Sequence, residues 1–208
     1  MKQMMLRICM VSGAVLVSSA LAMAQRPVGS QPSPTAPDSS TNANPNNPGI
    51  TSPDQQQNTE TGQLQDKDFV RSALEGGMAE VEMGKLAAQK GTSDDVKQFG
   101  QKMVQDHTQL GDQMKPVAQQ LGVREPNGLS KKDRSELAKL SSLSGAQFDD
   151  AYIKAMVKDH KKDLSDFKQE ARNTQNPNVK QVAQQGAQVI DQHLQLAEQM
   201  AKAHNVKA

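Results

Sequence analysis

The sequence predicts an all-α protein built as a four-helix bundle, with two antiparallel hairpins joined by one long crossover. Three observations carry this. Aromatic residues make up 2% of the chain and Trp is absent, which argues against a β-sandwich or barrel, since those lean on aromatic and β-branched side chains. Four long stretches beyond Asp66 carry apolar residues at the helical period. The connections between them run short, long, short, and short connections force antiparallel neighbours.

The chain begins with a pattern that reads as an export signal. Lys2 and Arg7 give a positive start, an apolar stretch runs from Ile8 to Ala24, and Ala22-Met23-Ala24 is a small-x-small cleavage site. The mature chain is expected to start near Gln25. The competing reading is an uncleaved anchor, because the apolar stretch just reaches the lower limit for crossing a bilayer of about 30 Å. The single cysteine, Cys9, falls in this segment. Cleavage leaves no cysteine, which suits an oxidising compartment and removes disulfides and thiol catalysis from consideration. The expected location is the periplasm or outer envelope of a bacterium, with no transmembrane span in the mature chain.

Residues 25–65 are a different material. Seven prolines precede residue 54, among Ser, Thr, Asn, Gln and Gly, and charge is limited to Arg26, Asp38, Asp54 and Glu60. Such a stretch cannot bury enough apolar surface to offset its ordering entropy, and it reads as a flexible tether.

The bundle is expected over 66–208. Its first helix, about 66–90, aligns Phe69, Ala73, Gly77, Glu80, Gly84 and Ala87. The second, about 94–121, opens at the Ser93/Asp94 capping region and aligns Val96, Phe99, Met103, His107, Leu110, Met114, Val117 and Leu121. The third, about 145–174, aligns Phe148, Tyr152, Met156, His160, Leu164 and Phe167. The fourth, about 178–204, follows Asn176-Pro177 and aligns Val182, Gly186, Val189, His193, Leu196 and Met200. Between the second and third lies a long link, 122–144, with a short helical piece opened by Ser130-x-x-Asp133, a capping-box variant. Two hairpins with one long crossover is ferritin-like connectivity. The net charge of +1 leaves no basic footprint for a duplex, and stacking platforms for single strands are missing, so nucleic acid is not an expected partner.

Three histidines fall at the centre of an inward stripe: His107, His160 and His193, in the words Met103-Val104-Gln105-Asp106-His107, Met156-Val157-Lys158-Asp159-His160 and Val189-Ile190-Asp191-Gln192-His193. The first helix offers Glu80. Counting from the two hairpin turns puts all four near mid-bundle, and one inward ligand per helix is how bundle metal sites are made. Neutral imidazoles with a carboxylate suit Zn, Fe, Cu or Mn. The alternative is a structural polar layer in which the histidines hydrogen-bond one another. The Asp residues beside the histidines are possible orienting partners, although an Asp one residue before a His projects about 100° away on the same helix. His204, near the C-terminus, reads as surface. A di-iron oxidase needs Glu-x-x-His on two helices; the corresponding positions are Val104, Val157 and Ile190, which weighs against a redox enzyme.

The words Asp66-Lys67-x-Phe69, Gly76-Gly77-Met78-Ala79-Glu80-Val81-Glu82-Met83-Gly84-Lys85-Leu86-Ala87, Met103-Val104-x-Asp106-His107, Phe148-Asp149-x-Ala151-Tyr152 and Asp159-His160 resemble the DUF4142 family. That resemblance covers about 66–203. It implies an exported bacterial protein with a ferritin-like bundle, and it implies no activity. Two functions stand at this point: a bundle that binds or senses a transition metal through His107, His160, His193 and Glu80, and a non-catalytic envelope stress or interaction module that meets a protein partner.

Overall fold

The computed structural model describes residues 53–208, with side chains from Glu60 onward. The expected export signal and residues 25–52 of the expected tether lie outside the described residues. Five helices and no strand form the described part: α1 Pro53–Lys90, α2 Asp94–Leu121, α3 Lys131–Ser141, α4 Gly145–Asn173 and α5 Pro177–Ala203. No helix among them is long and apolar enough to cross a membrane.

Each boundary has a local cause. Helix α1 starts at Pro53 rather than at 66, so residues 53–65 are helical. Pro at a first helical position is pre-set for the turn, and Gln and Glu propagate it without a breaker before Gly62. Low hydrophobicity marks a segment that lacks a core face; it does not forbid helix. Helix α2 ends at Gly122, whose φ of 68° is left-handed, with Val123 N–H donating to Ala118 O at 2.8 Å. This is the paired closure that glycine allows at a helix end. Ser130 caps α3 by accepting from Asp133 N–H, as the sequence suggests. Asn176 caps α5 ahead of Pro177, accepting from Asn178 and Val179 N–H. Ser93 sits at the α2 cap position, but its side chain makes no cap bond.

The pairings are α1 with α2, α4 with α5, α2 with α5, and α1 with α4. Asn178 donates to Gln120 at one end of α2–α5, and His204 meets Asp95 at the other. Neighbouring helices are therefore antiparallel around the bundle. The 122–144 link runs the length of the molecule, with α3 against α1 and α4. Asp149 at the start of α4 accepts from Thr92 N–H, Thr92 O–H and Ser93 N–H, tying the first hairpin turn to the second hairpin. His204, expected as plain surface, is tied to Asp95 at 2.9 Å.

Two apolar clusters fill the interior. One, toward the 91–93 turn, includes Met83, Phe99, Met103, Phe148, Tyr152 and Met156. The other, toward the 174–177 turn, includes Val70, Leu74, Met114, Val117, Phe167 and Ile190. The sequence stripes need two corrections. On α5 the buried residue is Ile190, not Val189. On the first half of α1 the buried residues are Val70 and Leu74, with Phe69 and Ala73 partly buried against the same cluster; Phe69, Ala73, Leu74 and Gly77 also line a cavity. At the other end of α1 the backbones nearly touch: a Cβ on Gly84 would lie 2.8 Å from Gly100 O.

Candidate metal centre

The four predicted residues converge between the two apolar clusters. Glu80, His107, His160 and His193 are all buried. The imidazole centroids are 5.1 Å apart for His107–His193, 5.5 Å for His160–His193 and 5.8 Å for His107–His160. One ring nitrogen from each histidine lies within 4.8 Å of the others. The close Gly84–Gly100 approach, one turn along α1 from Glu80, draws α2 near enough for Glu80 Oε2 to reach His107 Nδ1 at 3.0 Å.

The hydrogen bonds determine which nitrogens are left over. Asp106 Oδ2 faces His193 Nε2 at 2.8 Å, so that nitrogen carries the proton and donates. Met156 O is a carbonyl 3.0 Å from His160 Nδ1, so Nδ1 donates there. Glu80 receives the His107 Nδ1 proton. In the neutral rings the bare lone pairs are then His107 Nε2, His160 Nε2 and His193 Nδ1. His160 Nε2 is buried and has no hydrogen-bond partner. His107 Nε2 and His193 Nδ1 stand 3.2 Å apart, with a proton from neither carboxylate-bound side available to join them. Either one extra proton or a shared electrophile must lie between them.

Charges follow the same geometry. Burial pushes Glu80 up, but the imidazoles of His107 and His160 outweigh it and hold its carboxyl well below the usual range. Burial pushes His107 down, and the Glu80 carboxylate overcomes this and raises it. Burial lowers His160 and takes His193 down to about 4, with the neighbouring imidazoles adding to the effect on both. Burial and the Glu80 charge push Asp163 up to about 7.

Glu80 was expected as a fourth ligand. Both of its oxygens instead face the Nδ1 atoms of His107 and His160, at 3.0 and 3.5 Å. In this arrangement its carboxylate meets the Nδ1 sides of two of the rings. Asp106, one of the Asp residues that the sequence offered as orienting partners, makes no hydrogen bond to its own neighbour His107 but reaches His193 across the α2–α5 interface and is held by Lys102 at 2.7 Å. No spacing along one helix could have signalled a contact that depends on which helix packs alongside. Phe99 covers the layer on the Tyr152 side, 5.9 Å from His193. On the opposite flank a cavity of about 260 Å³ reaches Glu80 and His107 from the surface.

Residues 51–200 match a protein-family description, Domain of unknown function (DUF4142). Among solved structures the chain is similar to a DUF305 fragment from Deinococcus radiodurans, at 15% identity, covering 68% of this chain and 95% of that one with a TM-score of 0.57. At that identity the likeness speaks to the helical fold alone. No curated protein matches the chain.

Proposed function

The chain belongs to the DUF4142 family, and from that premise we propose that it is an exported envelope protein whose buried histidines bind a transition-metal ion. The observation that carries this is that one ring nitrogen from each of three buried histidines lies within 4.8 Å of the others, with His107 Nε2 and His193 Nδ1, each left bare by the bond on its ring's other nitrogen, 3.2 Å apart. The 3.2 Å between His107 Nε2 and His193 Nδ1 is close to the ~3.3 Å between two nitrogens in tetrahedral coordination at ~2.0–2.1 Å. Asp106 and Glu80 act as the outer carboxylates that set tautomer and ring orientation in His-metal sites. Zn, Fe, Cu and Mn all accept imidazole, and three protein nitrogens leave a position for a further ligand.

A second reading rests on the same 3.2 Å contact: His107 as imidazolium, paired with Glu80 and donating to His193, in a closed structural layer. Thermal unfolding of the metal-stripped protein separates the two. With added Zn, Cu, Fe, Mn, Co or Ni, a metal site gives a concentration-dependent rise in Tm. His160→Leu fills its space with an apolar side chain and should abolish that rise. A wild type indifferent to all six metals and to chelators would leave only the structural layer.

A further inference from the structure

We infer that the cavity beside Glu80 is the route by which a hydrated divalent cation reaches the histidines, with Asp163 as its guiding carboxylate. This rests on the metal-site reading. The cavity opens between α1, α2 and α4. Of the polar layer it touches Glu80 and His107 alone; His160 and His193 do not line it. Glu80 Oε1 is buried and accepts no hydrogen bond. Glu80 thus lines the cavity on one side and meets the rings on the other, and a carboxylate with spare lone pairs at that place is a transfer point for a cation.

The mouth has the matching charge. Asp112, Glu125, Asp163 and Asp166 line it against Lys115 and Lys162. Lys115 is taken by Asp112 at 2.9 Å and Lys162 by Asp166, with a longer ion pair from Lys162 Nζ to Asp163 at 3.9 Å. The surplus is negative, as a funnel for cations requires. Half-buried Asp163 feels the Glu80 charge, so a cation between the two relieves their repulsion. The space, about 260 Å³, holds several waters at the ~10–15 Å³ that each needs on the same measure.

The glycines on the wall make the width independent of tight packing. A Cβ on Gly77 or Gly111 would meet nothing within 4 Å, unlike one on Gly84, Gly100 or Gly186. Gly77→Leu and Gly111→Leu should therefore fold and fill the passage. The experiment is stopped-flow binding of Co²⁺ to the metal-stripped full chain, followed by its visible spectrum, beside equilibrium titration and circular dichroism. Both leucine variants should slow association and dissociation together, by fivefold or more, with Kd unchanged within twofold. Asp163→Asn should slow association about threefold and flatten its dependence on ionic strength. Wild-type rates in both leucine variants would overturn the route, as would an Asp163→Asn effect confined to dissociation, which would make Asp163 a ligand. If the wild type takes up no cobalt at equilibrium, the metal reading itself has failed and the route falls with it.

Discussion

His193 shows how a single residue couples the buried layer to pH. Its ring is fully buried. Burial, reinforced by the His107 and His160 imidazoles, takes its pKa down to about 4 against the pull of Asp106, whereas an unfolded histidine titrates near ~6.5. Between those values the unfolded chain takes up a proton that the folded chain refuses, so stability falls as pH drops through that window. His193→Leu removes the titrating group. In the presence of chelator, urea unfolding at pH 8 and pH 5 should show the wild type losing about 2 kcal/mol more than the variant on acidification. Equal losses in both proteins would mean that His193 is not held neutral. The presence of His193 in the site was legible from its stripe. Which of its nitrogens carries the proton was not, because that depends on Asp106, which belongs to another helix.

At the scale of the element, α1 carries the clearest lesson. Periodicity aligned Phe69, Ala73 and Gly77 with Glu80; in the structure Val70 and Leu74 are the buried pair, Phe69 and Ala73 pack partly buried against the same cluster, and that face also borders the cavity. A helix with apolar residues on two adjacent faces has no unique stripe, and the neighbours decide which face is covered. The elements are locked end to end by Asp149, a buried carboxylate whose pKa, raised by burial, is pulled below normal by the Thr92 and Ser93 hydrogen bonds. Asp149→Ala strands two backbone N–H donors and should cost about 2 kcal/mol. For a chain of this size that lowers Tm by about 4–8 °C, which calorimetry would register. An unchanged Tm would show that water replaces the carboxylate without loss.

For the whole molecule, the polar layer divides the core in two, and among the described residues the first buried side chains are Asp66 and Val70 on α1. Leu64 is exposed. A chain starting at Pro53 should therefore melt within about 2 °C of the full-length protein, whereas one starting at Arg71 loses Val70 and should melt well below it. A large drop from the first truncation would mean that the N-terminal segment packs on the bundle.

The amino-acid sequence alone determined the helical class, the hairpin–crossover–hairpin connectivity and the level at which His107, His160, His193 and Glu80 meet. Those follow from a period of 3.6 residues, from turn residues and from counting along rigid rods. Only the tertiary structure decided that Glu80 meets the Nδ1 sides of His107 and His160, that Asp106 serves His193, and that the Gly77 face of α1 borders a cavity. These are contacts between helices, governed by axial rotation and close approach, and a linear spacing carries no information about either.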